Sequence, residues 1–462
     1  MSNDFSSRVK WFYKLAPFYL LTATVFYMAW TTEPETDIAF TPLRWIMLLL
    51  FVPLALKYVI QLLASLFYGL TQARPIFMGA LPRVSVLIPA WNEEVGIVKT
   101  LKSALHSEYA NLEIVVINDG STDGTDQQIQ GFLKSLTPAQ RANVQYLKLE
   151  NGGKARALNQ GLEIATGELI VTVDADSVLD KQAISRLVNR FSESDVAAVA
   201  GNVIIGNRAR SIECLQQLEY LYGFFFKRGD SVFNSVYIIG GAAAAYRRDV
   251  LMQLGGFDHS IITEDIEIST RILAHGYKTR YAHDAVVYTE GPADWKGLCN
   301  QRLRWKFGRL QTFFRHRSLF FQCSSRPGPY LSWLLLPVAL YAELLLLFEV
   351  VLMTVFFSYT IYTQDYLPLL CVIMVMSCLI WLQVLTDPKR DKHSNLLWLA
   401  PVAWLLFFFI DAVEFQALYR SIKRFCKGEA LQWQKWVRKG LSQAPDLLGD
   451  TQGSQTPVDL LN

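Results

Sequence analysis

Five apolar runs mark the two ends of the chain, at 15–30, 46–70, 330–359, 366–385 and 396–410. Each is near or above the length a helix needs to cross a bilayer, about 17–25 residues. The first follows Lys10 and Lys14 and ends in Met28, Ala29 and Trp30, which do not form a small-x-small cleavage site. It reads as an anchor rather than a cleaved signal. Between the two ends the pattern changes to short β-branched runs: "VSVLIPA" (84–90), "EIVVIND" (113–119), "VQYLKLE" (144–150) and "ELIVTVDAD" (168–176). Helical stretches at 95–107 and 152–165 separate them. Strand, helix and strand at this spacing predict an α/β domain with a parallel, doubly wound sheet. Ligands of such sheets bind outside the carboxyl ends of the strands. Asn92 and Glu93 follow the first run, Asp119 ends the second, and Asp174 and Asp176 end the fourth.

The basic residues predict orientation. Arg8, Lys10 and Lys14 precede the first span, whereas the next loop carries Glu33, Glu35 and Asp37 before its first arginine, Arg44. The N-terminus and everything from about residue 71 are therefore expected in the cytoplasm, and the protein in the inner membrane. The C-terminal end stays open. The loop 389–392 and the tail 420–439 are both basic, yet one apolar run separates them. Either 396–410, which is short and contains Pro401, is re-entrant, or 330–359 hides a break. Lys57, Glu343 and Glu349 lie inside apolar runs. A charge at the bilayer centre costs about 2.5–3.5 kcal/mol, so Lys57 is expected to face protein or a wet cavity. The stretch from about Gly440 reads as disordered. A net charge of +3 without a basic recognition motif excludes nucleic acid as a partner. Six scattered cysteines with no C-x-x-C pair give neither a disulfide framework nor a zinc site.

Five segments carry candidate chemistry. Two carboxylates in "VDAD" end an apolar strand, where they are costly unless paired or metal-bound. Two oxygen donors favour a hard cation, Mg²⁺ or Mn²⁺; helix-capping turns are the plainer reading. "NDGSTDGT" (118–125) is a turn that a base and ribose could approach, and "NGGKARALNQG" (151–161) sets Lys154 and Arg156 at a helix opening, where phosphate binds well. "ITEDIEIS" (262–269) packs Glu264, Asp265 and Glu267 into four positions among isoleucines. Thr263 as an N-cap and acids at the positive end of a helix explain it equally well. In "QRLRW" (301–305), Gln301, Arg304 and Trp305 share one helical face. The surrounding segment 297–321 has six lysines and arginines and no acid. Arg304 suits a diphosphate and Trp305 a sugar face; a basic amphipathic helix on the membrane surface is compatible with both.

An aspartate after the second strand, D-x-D, T-E-D and Q-x-x-R-W in this order resemble the processive, membrane-embedded glycosyltransferases of family 2, which have a GT-A fold. That group contains the cellulose, hyaluronan and bacterial poly-N-acetylglucosamine synthases, and "ITEDIEIS" and "QRLRW" look closest to the last. The resemblance covers about 80–320 and extends to the flanking membrane segments. It implies that Asn92, Glu93 and Asp119 contact the uridine of a UDP-sugar, with Lys154 near the nucleotide. Asp174 and Asp176 would hold the nucleotide and its metal, and Asp265 would be the general base, with Glu264 beside it in the catalytic set. Gln301, Arg304 and Trp305 would line the diphosphate and acceptor site. The expected organisation is a membrane region with two spans (1–70), a cytoplasmic GT-A domain (71–296), and an interface helix with QRLRW (297–328). A membrane region of about three hydrophobic segments (329–420) and a basic, then disordered tail (421–462) complete it. The expected activity is extension of a β-linked polysaccharide from UDP-GlcNAc, with export of the chain and a growing polysaccharide as acceptor. Membrane lipid surrounds the protein, and a small partner subunit is left open. The alternatives are a UDP-glucose-using, cellulose-like synthase, a non-processive transferase acting on a lipid-linked acceptor, and a transporter with a degenerate domain. "QRLRW" argues against the second, and the full set of aspartates against the third.

Overall fold

The structure, a computed structural model, describes residues 41–71, 81–323, 328–431 and 438–441, with isolated positions 20, 23, 24, 27 and 436. Most of the first apolar run, the acidic loop after it and the tail beyond Leu441 lie outside the described residues. Helix α1 (Thr41–Thr71) leads to the first strand, β1 (Val84–Ala90). There follow α2 (Ile97–Leu105), β2 (Leu112–Asp119), α3 (Thr125–Ser135), β3 (Val144–Leu149), α4 (Lys154–Ile164) and β4 (Leu169–Thr172). Next come β5 (Val178–Leu179), β6 (Val196–Ile205), α5 (Ser211–Val232), β7 (Ala244–Arg247), α6 (Glu264–Ala274), β8 (Lys278–Thr289) and α7 (Trp295–Arg315). The C-terminal helices are α8 (Leu336–Leu346), α9 (Glu349–Thr363), α10 (Leu367–Thr386) and α11 (Ala403–Lys427).

The strands form one sheet in the order β3-β2-β1-β4-β7-β6-β8-β5. Its first four strands are parallel, as their spacing predicts, with Ala90 beside Asn118 and Leu87 beside Thr172. The second half departs from that expectation: β7 runs antiparallel to both β4 and β6, and β5 antiparallel to β8. The sheet is therefore mixed. The reversal has a topological cause: after α5 the chain passes Ser235 beside Thr279 at the start of β8, and residues 236–243 carry it along the sheet before β7 turns back. Successive residues of β1 and β2 point to opposite faces, and both faces are covered. Val86, Ile88, Ile114 and Val116 meet Ile97, Leu101 and Ile129 on one side. Leu87, Val115 and Ile117 meet Ala157, Leu158, Ile268 and Ile272 on the other. At the far end from the ligand edge, the buried carboxylate of Glu113 accepts from Thr166 N (2.6 Å), Thr166 Oγ1 (2.8 Å), Ser85 Oγ and Arg83 (3.1 Å). Burial would raise its pKa, but these donors together hold it below the ordinary value.

Helices over 45–68, 367–386 and 390–427 are long and apolar enough to cross a membrane, and the pair Tyr330–Leu346 and Glu349–Thr363 is bent by 70°. The long run at 330–359 thus does contain a break, at Leu347 and Phe348. Segment 390–427 is itself interrupted by a 3-10 turn, Ala400–Val402, around Pro401. Before it, Lys389 Nζ bonds Asp180 (2.6 Å) and Gln217 Nε2 donates to Lys392 O (2.9 Å). After it, Arg438 and Lys439 bond Glu93 and Glu290. α11 also lies along α7, with Phe314 stacked on Phe425 at 4.6 Å and Ser421 Oγ donating to Leu303 O (3.4 Å). Segment 390–427 is thus tied to the α/β domain on either side. The junction between α7 and the membrane helices is ionic: Lys306 Nζ stands 2.7 Å from both Glu343 and Glu414, and Arg309 is 2.7 Å from Glu343. Removing one partner from such a buried set leaves an uncompensated charge, costing about 3–5 kcal/mol.

Candidate active site

The carboxyl ends of β1, β2 and β4 open into a cavity of about 660 Å³. Glu93, Asp119, Lys154, Asp174, Asp176, Glu264, Asp265, Gln301, Arg304 and Trp305 all line it. Asn92 does not. It takes a left-handed conformation at φ 55°, and its Oδ1 accepts from Thr122 N (2.7 Å) while its own N–H donates to Ser121 Oγ (2.9 Å). It ties the end of β1 to the "NDGSTDGT" turn. Asp119 is turned inward too: its two carboxylate oxygens accept from Gly152 N and Gly153 N, each at 2.9 Å. The carboxylate fixes the glycine loop that opens α4, and Gly153 adopts φ 89°, a conformation that favours glycine.

The acidic cluster separates into three tasks. Glu264 faces Lys154 Nζ at 2.9 Å, and the same ammonium stands 2.7 Å from Asp174. One lysine at the start of α4 therefore joins the D-x-D strand to the T-E-D helix. Burial opposes charge on all three, yet the pairing leaves Lys154 raised and Asp174 lowered, while burial prevails at Glu264 and raises it. Asp265 is half-buried, its carboxylate held by Gly241 N (2.9 Å) and its own helix at Ile266 N (2.9 Å). Glu267 points away from the cavity to Arg271 (2.7 Å) and His316 (3.0 Å). Thr263 occupies the N-cap position but makes no capping bond, contrary to expectation. Its side chain lies instead against Gly308 of α7, where an added Cβ would stand 2.1 Å from Thr263 Oγ1. Gln301, Arg304 and Trp305 turn one face of α7 to the cavity, as their spacing predicts. Arg302 covers the indole of Trp305 at 4.2 Å.

The sequence reading missed a strap that includes Trp436 and residues 438–441. Arg438 reaches Asp176 Oδ2 at 2.6 Å and Glu93 Oε1 at 3.2 Å, and Trp436 lies beneath the guanidiniums of Arg438 (4.2 Å) and Arg304 (5.9 Å). Glu290 anchors the strap by accepting from Lys439 N (2.7 Å) and Gly440 N (2.9 Å). Leu441 is buried beside Val178, Ile204, Val286 and Tyr288. Gly440 and Leu441 are thus in place where disorder was expected to begin. A signal was available: "WQKWVRKG" (433–440) puts two tryptophans in a tail otherwise read as solvated, and such segments are poor in aromatic residues. Lys57 lines the cavity, as its cost in lipid demanded. Glu343 does not, being held by Lys306 and Arg309, and Glu349 hydrogen-bonds Asp411.

Asp174 and Asp176 supply hard oxygen donors at the mouth of the cavity, and in this structure each has one oxygen on a cation, Lys154 or Arg438. That donor set fits Mg²⁺ or Mn²⁺. Among the described residues there is no group of three or more histidine, cysteine or acidic side chains placed to hold a metal unaided. A site with few protein ligands leaves coordination positions for phosphate oxygens.

Comparison with known proteins follows the same residues. The family described as glycosyltransferase like family 2 matches residues 82–308. The poly-β-1,6-N-acetyl-D-glucosamine synthase of Staphylococcus epidermidis strain RP62A is 30% identical over 279 residues, covering 58% of this chain and 66% of the relative. That of Staphylococcus aureus strain COL is 31% identical over 251 residues, covering 54% and 60%. The chain thus spans slightly less than two thirds of these relatives' length. Among solved structures, the mannosyltransferase PcManGT of Pyrobaculum calidifontis, in complex with GDP-mannose and Mn²⁺, superimposes with a TM-score of 0.53 at 20% identity. The match covers 83% of this chain and 99% of that one, and it shows a shared GT-A fold. Residues 82–308, with the mixed sheet, the D-x-D strand end and the T-E-D helix around one cavity, are a glycosyltransferase domain of family 2.

Proposed function

We propose that this protein is a membrane-embedded, inverting synthase that extends a β-linked polysaccharide from UDP-N-acetylglucosamine and passes the chain through its own membrane segments. The observation that carries the reading is the single cavity shared by Asp174, Asp176, Asp265 and Trp305, with Lys57 of the membrane helix α1 on its wall. The Staphylococcus relatives' names favour N-acetylglucosamine and a β-1,6 linkage over glucose.

In this reading the donor nucleotide lies along the strand ends, over the turn and glycine loop that Asp119 holds. Glu93 and Lys154 belong to its surroundings, and Arg304 faces the diphosphate. Asp176 with Asp174 would hold Mg²⁺ or Mn²⁺, whose charge stabilises the departing diphosphate. Trp305 offers the acceptor sugar a flat face opposite the side covered by Arg302. An acceptor hydroxyl oxygen forms a bond to C1 of the donor sugar while the bond from C1 to the diphosphate oxygen breaks. UDP leaves with that electron pair, and the hydroxyl proton passes to the carboxylate of Asp265. Glu264 and Lys154 act on this step by fixing the helix that carries Asp265. Attack opposite the leaving group inverts C1, which makes the linkage β. The catalytic domain lies on the cytoplasmic side, where UDP-sugars are made, and the chain exits between the membrane helices.

The test is to incubate the full-length protein, in membranes or detergent, with UDP-N-acetylglucosamine, UDP-glucose and UDP-galactose. Release of UDP and formation of polymer from the first alone are expected. Polymer from UDP-glucose would transfer the assignment to the glucan synthases. Single-sugar addition to lipid, without polymer, would refute processivity.

A further inference from the structure

Beyond Asp265, the cavity continues between α1 and α5 to a cluster that the reaction above does not use. Gln61 of α1 is 2% exposed and lines the cavity wall. Its Nε2 donates to Asp230 Oδ1 at 2.7 Å, and that carboxylate oxygen also accepts from Tyr330 OH at 2.6 Å. This bond fixes the amide's orientation, since the carboxylate needs a donor. Gln61 Oε1 is then left without a hydrogen-bond partner among the described residues. The position is rigid. α1 and α5 touch backbone to backbone at this level, and a Cβ on Gly229 would stand 2.6 Å from Gln61 O.

Lys227 precedes Asp230 by three residues on the same face of α5, and it too lines the cavity. Its ammonium lies over the ring of Phe224 at 4.0 Å and makes no ion pair among the described residues. One wall therefore presents a fixed acceptor with unfilled lone pairs and an ammonium with unfilled donors. A buried polar atom left unmatched is costly, so a ligand supplying its partner gains more than one hydrogen bond exposed to water would give.

We propose that Gln61 and Lys227, with Asp230 as the positioning residue, form a second acceptor subsite that reads the 2-acetamido group of a sugar in the growing chain. The amide N–H donates to Gln61 Oε1, and the acetyl carbonyl accepts from Lys227. A 2-hydroxyl cannot reach both, because it lacks the span of an amide. This inference rests on the N-acetylglucosamine reading above and adds to it a role for the chain already made, not for the donor.

The experiment uses full-length protein in detergent with UDP-N-acetylglucosamine as donor and three soluble β-1,6-linked oligosaccharides as acceptors, built from N-acetylglucosamine, glucosamine or glucose. The glucose oligomer is neutral, so it separates loss of the acetamido group from the charge repulsion a free amine would meet at Lys227. Wild-type enzyme should show an acceptor KM about tenfold lower for the acetylated oligomer than for the glucose oligomer. In Gln61→Met and Lys227→Met that ratio should fall to about two, and in Gln61→Met acceptor-independent release of UDP should change less than about twofold. A wild-type enzyme that does not distinguish the two neutral oligomers would overturn the subsite, and that comparison requires no variant to fold. Variants that keep the tenfold ratio would overturn it as well. No turnover of UDP-N-acetylglucosamine with any acceptor would overturn the donor reading, and the subsite with it.

Discussion

Gly308 gives the sharpest test of how the T-E-D helix is positioned. A Cβ at this position would lie 2.1 Å from Thr263 Oγ1, 2.5 Å from Thr263 Cγ2 and 2.8 Å from Thr263 Cβ. Rotation about χ1 can move the first two atoms away. It cannot move the third, whose place is set by the backbone. Restoring an ordinary carbon–carbon contact of about 3.5 Å requires α6 and α7 to separate by roughly 0.7 Å at this point. Thr263 immediately precedes Glu264 and Asp265, so the displacement reaches the acidic residues directly. A misplacement near 1 Å can cost about 10²-fold in rate. Stability should change little, because overpacking costs about 1–3 kcal/mol whereas alanine in place of a helical glycine returns about 1 kcal/mol. Gly308→Ala should therefore lower kcat for polymer synthesis by about 10²-fold with a Tm within a few degrees of wild type. Adding Thr263→Gly removes all three clashing atoms and should recover a large part of the loss. The assay is UDP release alongside a thermal melt. A Gly308→Ala enzyme within threefold of wild type, or a loss that Thr263→Gly does not relieve, would refute this account of the α6–α7 contact.

The other predictions concern the base, the acceptor platform, the strap and the sheet. Asp265→Asn should abolish polymer synthesis, a loss of about 10²–10⁴-fold, while UDP binding measured by calorimetry stays close to wild type; near-normal turnover would remove Asp265 from the role. Trp305→Ala should slow elongation more than it weakens UDP binding, and equal losses in a folded variant would mark α7 as merely structural. Arg438→Ala should lower kcat but also reduce the Mn²⁺ concentration giving half-maximal UDP release, because the cation no longer displaces a guanidinium from Asp176; an unchanged metal requirement would count against that competition. Glu113→Gln should cost about 2 kcal/mol at pH 7, since the five donors around it, Gly167 N (3.2 Å) included, were matched to a carboxylate. Its folded pKa is depressed, so the wild-type contribution is present above the unfolded value, about 4.3, and lost as pH falls through the folded value. The Tm difference between the two proteins should accordingly shrink below about pH 4, and a constant difference would rule out that origin.

Local pattern was enough for much of this protein. β-branched runs at even spacing fixed the first four strands as parallel, and parallel strands must present their carboxyl ends at one edge. Asp119, Asp174 and Asp176 could thus be placed at the ligand edge without coordinates. The 3.6-residue period of a helix likewise put Gln301, Arg304 and Trp305 on one face. The cost of charge in lipid was enough to send Lys57 to a cavity. What the pattern could not supply is any statement about partners distant in the chain. The direction of β7 depends on the path of residues 233–243 after α5, not on the four residues of the strand. Asn92 and Glu93 are adjacent and both polar, yet one ties a turn and the other faces the cavity, because the backbone at Asn92 takes a left-handed turn. Glu264, Asp265 and Glu267 look alike in sequence, and only their neighbours Lys154, Gly241 and His316 divide them into a brace, a candidate base and a structural pair. Arg438 stands 262 positions from Asp176 in the chain and 2.6 Å from it in space. Periodicity and residue type are properties of a segment and its solvent, whereas closure of this site is a property of which segments meet.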